Sequence, residues 1–564
     1  MPPVNIASHL KEMASSRPDQ PCVLFPTSRH GDGTSSYSEL TYRQLDDASD
    51  LVAQRLLEQG IGRGVRTVLM VPPSLEFFVL TFALFKAGAV SVFVDPGMGV
   101  KNIGKCLAEA EPTAFVGIPK AHLARRMLGW GRTTLKRLVA VGDGARWCRW
   151  LGEGLTALTI SDFSGSLPAD RGQSFPVETA ADETAAILFT SGSTGVPKGA
   201  VYSHGNFAAQ IEMLRKAFAI QPGEIDLCTF PLFALFAPAL GMTAVVPRMD
   251  FTRPAKVDPL EIARPIAQHA VANLFGSPAL LNRVGRYYEH QEILWQSVRR
   301  VLSAGAPVSP EIIERFTRHL APGIQVFTPY GATEALPVAV IGSKEILNET
   351  RHQTARGGGT CVGLPVDGVK VSVIRITDEP IATWEESLVL PPGEIGEIVV
   401  HGDNVTQEYF HRPDLTAMAK IDDPASGRKR HRMGDVGYLD SQGRLWFCGR
   451  KSHRVITTDQ TLFTEPVEGI FNAHPAVFRT ALVGVERKGR MEPVLCVERD
   501  QAAGKTPGNS TLTRELLELG AKYQASQPIQ TILYHHAFPV DIRHNSKIFR
   551  EQLATWARRT LGDG

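Results

Sequence analysis

The chain has 564 residues, 43% of them hydrophobic, and its 60 Lys and Arg nearly balance 58 Asp and Glu, leaving a formal charge of +2. That length exceeds what one hydrophobic core supports, so two or more domains are expected, and the near-neutral charge excludes a global field for nucleic acid. Seven scattered cysteines without a Cys-x-x-Cys pair exclude a disulfide framework or zinc site and fit a reducing cytoplasm.

Residues 1 to 6 lack the basic and apolar regions of a secretory signal. The most apolar stretch, 77 to 94, is interrupted by Lys86 and Gly88, so it reads as a buried helix turning into a strand, not a membrane span. Together with the apolar run 67 to 71 it gives strand, helix, strand, the signature of an α/β fold with parallel sheets. Further strand-like runs end at Phe189 and Phe327, each followed by a motif-like loop, where α/β folds place ligands. The basic run Arg428-Lys429-Arg430-His431-Arg432 reads as a solvated loop.

After residue 368 the pattern changes to period-two alternation, at 369 to 373 and 397 to 400, with a hairpin across 437 to 447. We expect a large domain over 1–451, β-rich over about 369–451, and a small mobile α+β domain over 452–564. The latter has a helix near 465 to 471, strands at 478 to 485 and 492 to 498, and helices from 512 and 548.

The loop Thr190-Ser191-Gly192-Ser193-Thr194-Gly195-Val196-Pro197-Lys198 carries most of the chemistry. A polyphosphate needs close backbone N–H groups, small side chains, hydroxyl donors and a cation, and this loop offers all four. Lys198 follows a proline and precedes a glycine, which departs from the Gly-Lys-Ser/Thr of nucleotide hydrolases, and Ser193 is not in a Gly-x-Ser-x-Gly elbow. Downstream stand Ser303-Ala304-Gly305-Ala306-Pro307, a turn, and Thr328-Pro329-Tyr330-Gly331-Ala332-Thr333-Glu334, which joins a ring able to stack on a base, a glycine that admits close approach and a carboxylate suited to Mg²⁺. Gly434-Asp435, Gly449-Arg450 and Lys547 within Asn545-Ser546-Lys547-Ile548 complete the set.

In this order, over nearly the whole chain, these motifs resemble the adenylate-forming superfamily of acyl-CoA synthetases, peptide-synthetase adenylation domains and luciferases. The resemblance implies ATP and Mg²⁺. Thr190 to Gly195 and Lys198 would cradle phosphates, with Gly305, Ala306 and Pro307 along the adenine. Tyr330 and Gly331 would flank the base, Thr333 would contact the α-phosphate and Glu334 would ligate the metal. Asp435 and Arg450 would hold the ribose, and Lys547 would bridge carboxylate and α-phosphate. A carboxylate, with a reference pKa near 4.3, is already anionic at neutral pH and needs no general base to attack phosphorus. Its obstacle is anion meeting anion, which cations and donors around the α-phosphate relieve.

Three departures bear on the fate of the adenylate. Thr457-Thr458-Asp459-Gln460 stands where acyl-CoA synthetases carry a glycine-rich segment beside the pantetheine route, Ser452 holds the hinge position, and Ala234 replaces a histidine in the apolar run 230 to 241. That run suits either an alkyl chain or an ordinary core. With residues 247 to 259 and 541 to 547, these features resemble the bacterial olefin-pathway β-lactone synthetases. The resemblance implies a small-molecule substrate, a long-chain 2-alkyl-3-hydroxy acid, whose own hydroxyl closes on the activated carbonyl. It also implies a cytoplasmic enzyme that associates with its pathway neighbours, with His204 a candidate base beside its structural reading. The alternatives are a long-chain acyl-CoA synthetase and a non-catalytic acyl-binding or scaffold protein.

Overall fold

The computed structural model describes residues 4–142, 155–158, 174–191, 197–230, 235–500, 507–540 and 548–562. It is a mixed α/β structure built on two large sheets. One holds seven strands in the order 155–158, 137–141, 114–117, 66–70, 90–94, 184–191 and 197–203, all parallel except the final hairpin. The other runs from the antiparallel pair Pro21–Arg29 and Ser35–Thr41, through the parallel strands Ile225–Cys228, Asn273–Phe275, Arg300–Leu302 and Gln325–Ala332, into an antiparallel half ending at Lys370–Ile374.

The helix Leu75–Lys86 is apolar on almost every side because it is buried on almost every side. Ser74 caps it by accepting from the Phe77 N–H at 3.3 Å, and its one cation, Lys86, is fully buried against Asp46 and Asp50. Helix His204–Ala217 starts on a capping box between Ser203 and Asn206. The Asn206 amide also donates to the carbonyls of Asp403 (2.8 Å) and Val405 (3.1 Å), which ties the start of this helix to a segment about two hundred residues away.

Beyond Arg450 a three-stranded sheet, Val477–Arg487, Arg490–Arg499 and Thr531–Tyr534, packs with helices Thr464–Asn472, Asn509–Gly520 and Arg550–Leu561 around its own apolar clusters. Gly449 is required at this joint. Its φ is +118°, and a Cβ there would lie 2.1 Å from the Thr464 hydroxyl. The six described cysteines, at 22, 106, 228, 361, 448 and 496, are all free and buried. Among the described residues no helix is long and apolar enough to cross a membrane.

Two sequence expectations are corrected. Arg428–Leu439 is a strand, not a solvated loop, and Arg430, His431 and Arg432 are buried in it. Arg430 pairs with Asp423 at 2.8 Å and lies over Trp384, and Arg432 pairs with Glu397 at 2.7 Å, so carboxylates on the two flanking strands neutralise both buried arginines. Likewise the apolar strand does not end at Phe327. It continues through Tyr330 to Ala332 and turns back as Ala335–Gly342, which confines the turn to Thr333 and Glu334.

Candidate active site

A continuous cavity of ≈ 2450 Å³ is lined from both large sheets. Its polar end receives the carboxyl ends of parallel strands: Ser303 to Pro307 after Arg300–Leu302, and Thr328 to Glu334 from the next strand. Thr190 and Ser191 end one strand and Pro197 and Lys198 begin its antiparallel partner, with Thr190 opposite Lys198. The side chains of Thr190 and Ser191, together with Gly192, Ser193, Thr194 and Gly195, lie outside the described residues, as do Ser546 and Lys547.

Glu334 organises this end. Its Oε1 lies 3.0 Å from Lys198 Nζ and accepts from the Tyr409 hydroxyl, while Lys198 also donates to the Tyr409 oxygen and lies 4.2 Å from that ring. Burial pushes the Glu334 carboxyl up, but Lys198, His431 and two hydrogen bonds hold it well below the ordinary carboxylate range. It is therefore ionised at every working pH. Behind it Lys420 is buried, bonded to the carbonyl and hydroxyl of Thr406, and desolvation pulls its ammonium down to about 7. His431, across the strand pair from Lys420, is driven well below its usual value by burial and then by Lys420. Its Nδ1 binds the Ala419 carbonyl at 3.1 Å, so Nδ1 carries the proton.

At the other flank Tyr330 donates to Asp435 Oδ2 at 2.6 Å, and Arg450 lies 3.1 Å from Oδ1. Asp435 and Arg450 face each other across antiparallel strands, and both lie against the cavity. Burial raises the Asp435 carboxyl while Arg450 opposes the rise. The Arg450 contact is close, yet its angle does not make a hydrogen bond, so Asp435 Oδ1 is a buried acceptor without a donor. Ser303 Oγ is likewise buried and unpartnered on the cavity wall. Gly331 is needed here because a Cβ would lie 2.7 Å from the Ala335 carbonyl oxygen.

Glu334, Lys198, Thr333, Tyr330, Gly331, Asp435, Arg450 and the turn Gly305-Ala306-Pro307 thus surround one cavity. Residues 10–410 match the model of the AMP-binding enzyme family. The chain belongs to that family. It is 50% identical to the olefin beta-lactone synthetase of Stenotrophomonas maltophilia, covering 99% of each chain, and 50% identical to that of Xanthomonas campestris pv. campestris, covering 98% of this chain and 97% of the other. Its fold superposes on the amide bond synthetase McbA from Marinactinospora thermotolerans with a TM-score of 0.76 at 21% identity, covering 98% and 99% of the two chains.

For this member of the AMP-binding family the apolar half of the cavity is formed by Phe77, Phe82, Phe85 and Phe93 on one side and Phe230, Phe236 and Phe275 on the other. Phe207 stands between them, its ring 5.8 Å from Phe85 and 6.3 Å from Phe236. The run 230 to 241 therefore contributes to the cavity through Phe230, Leu235, Phe236 and Ala239, while Ala234 lies outside the described residues. His204 does not line it. That ring is buried, its Nδ1 accepts the Ile6 N–H at 3.2 Å, and burial pulls it down to about 4, the marks of a structural histidine. No local sequence motif joins Tyr409, Lys420 and His431 to this site. The antiparallel pairing of Lys420 with His431 and the bridge between Ala200 and Tyr409 assemble them.

Proposed function

We propose that the chain activates a long-chain 2-alkyl-3-hydroxy acid with ATP as its acyl-adenylate. The 3-hydroxyl of the same molecule then closes on the carbonyl to give a β-lactone and AMP. The observation that carries this reading is the end-to-end 50% identity to olefin beta-lactone synthetases, joined to a cavity with one charged and one apolar end. In the first half-reaction the substrate carboxylate attacks the α-phosphorus and pyrophosphate leaves. Lys198, the hydroxyls of Thr190 to Thr194 and Lys547 offset the repulsion between the two anions, and Asp435 Oδ1 and Ser303 Oγ are acceptors suited to ribose and adenine donors. In the second half-reaction the hydroxyl oxygen bonds to the carbonyl carbon, its proton departs, and the acyl–phosphate bond breaks. The aromatic walls hold the alkyl chains so that hydroxyl and carbonyl meet, a proximity effect worth about 7–11 kcal/mol in favourable systems.

Mg²⁺ fits Glu334, an ionised oxygen ligand on the cavity wall, and such sites use one or two protein carboxylates with substrate phosphates. When bound it would neutralise phosphate charge. No coenzyme A is required. Residues 457 to 460 close a tight turn, with the Thr457 N–H and hydroxyl both donating to the Gln460 carbonyl at 2.9 and 2.8 Å, between the paired strands Val455–Ile456 and Thr461–Leu462. That turn supports a closed pantetheine route.

Mass spectrometry of products from ATP and a 2-alkyl-3-hydroxy acid, with and without coenzyme A, tests the proposal. Lactone and AMP in equal amounts, unchanged by the thiol, are expected; thioester in quantity would replace the lactone reading with acyl-CoA ligation. We further propose a cytoplasmic setting beside the enzymes that make and consume these greasy intermediates.

A further inference from the structure

The segment 96–137 differs in character from the rest of the chain. It holds eight Lys and Arg against two Glu, although the whole protein carries a formal charge of only +2. Both of those glutamates are turned to another element, Glu109 to Arg412 at 3.7 Å and Glu111 to His411 at 3.9 Å. Lys101, Lys105, Lys120, Arg126, Arg132 and Lys136 are exposed. The same segment exposes Val100 (55%), Leu123 (41%), Met127 (75%) and Leu128 (48%), the densest group of exposed large apolar side chains among the described residues.

These side chains share one face. Helices Val100–Ala110 and Pro119–Leu128 pack on the same apolar cluster beside Trp130, and a Cβ on Gly104 would lie 3.2 Å from the Trp130 Nε1. On the second helix Lys120, Leu123 and Met127 recur at helical spacing opposite the buried Ala121 and His122. The same segment lines the cavity on its inner side, through Gly97, Met98, Asn102, Ile118 and Ala121. Exposed apolar side chains ringed by unneutralised cations form a surface complementary to an anionic lipid layer.

We propose that this face docks on an anionic lipid surface, so that the enzyme meets its long-chain substrate where that substrate partitions. The proposal rests on the long-chain reading of the substrate. An acidic protein partner would satisfy the cations but would leave Met127 and Leu123 without apolar contacts, so the lipid surface is the occupant the pattern favours.

The test is flotation of the full-length protein with phosphatidylcholine vesicles containing about one-third phosphatidylglycerol, without ATP or hydroxy acid, so that its outcome is independent of the reaction assigned above. Binding is expected at low ionic strength and at least a tenfold loss at about 0.5 M salt, where screening is short-ranged. Lys120→Glu with Arg126→Glu should lower the partition coefficient at least 25-fold, about fivefold per cation, and Met127→Asp about tenfold. Met491→Asp, at an exposed apolar site outside this segment, should leave it unchanged. With a short, soluble hydroxy acid all three should turn over like the parent. Failure to float, equal flotation with pure phosphatidylcholine, insensitivity to the 120, 126 and 127 substitutions, or capture on polyglutamate beads that vesicles do not relieve would each overturn the proposal.

Discussion

Two carboxylates on the same cavity illustrate how neighbours decide whether burial costs a carboxyl its charge. Glu334 is deeply buried and remains ionised because Lys198 and the Tyr409 hydroxyl face it. Glu465, where the strands before Arg450 meet the helix Thr464–Asn472, is less buried, yet desolvation and the like charge of Glu468 push it up to about 7. The Thr360 hydroxyl donates to it at 2.7 Å, a neutral partner where Glu334 has a cation. Glu334 is thus locked in one charge state, whereas Glu465 at the seam titrates near neutrality.

The largest expected effect comes from unpairing the seam. Glu468 binds Arg550 through both oxygens, one at 2.9 Å, and accepts the Leu482 N–H at 2.7 Å. Glu468→Leu should destabilise the protein by about 3–5 kcal/mol in urea unfolding, because a buried guanidinium loses its counter-ion. A loss below about 1 kcal/mol would reduce the pair to the value of a surface bridge. At the other region Lys198→Met should cut pyrophosphate release about 100- to 1000-fold, or about 2.7–4 kcal/mol, with a folded protein by circular dichroism. An unchanged rate would remove Lys198 from the phosphate site.

Glu465→Gln sharpens the contrast. The folded-state value of about 7 lies above the ordinary 4.5, so the native form binds the extra proton between those values. The stability from the protonated carboxyl is complete below about 4.5 and is lost as pH rises through about 7. The parent should therefore lose roughly 2–3 kcal/mol between about pH 4.5 and 8 relative to Glu465→Gln, after allowance for residual solvent contact; parallel pH curves would refute the shift. The smallest effect is expected for Tyr409→Phe, which removes the hydrogen bond donated to Glu334 and the one accepted from Lys198 but leaves their direct ion pair, and should cost about 1.5 kcal/mol in thermal unfolding.

The residues that line the polar end of the cavity were legible in the sequence because small, hydroxyl and charged residues stand there at short spacing, as in Thr328 to Glu334. The groups that tune it were not. Tyr409 joins the site through its bridge to Ala200, about two hundred residues earlier, and Lys420 and His431 meet only once the strands 420–423 and 428–439 pair; the run 428 to 432 hid its buried partners Asp423 and Glu397 because strand pairing sets those contacts. The apolar walls were ambiguous on principle. Phe230 and Phe236 look the same in sequence whether they fill a core or line a pocket, and only packing separates the two.

The buried cysteines have a consequence in reactivity. A β-lactone is a strained acylating agent, and thiolates are the protein groups it would modify most readily. Each of the six described thiols is removed from solvent, and burial pushes every one above its ordinary pKa, to about 12 at Cys106, Cys361 and Cys496. Among the described residues, the catalyst thus offers its own electrophilic product no ionised sulfur, and self-inactivation by that route is suppressed by the fold itself.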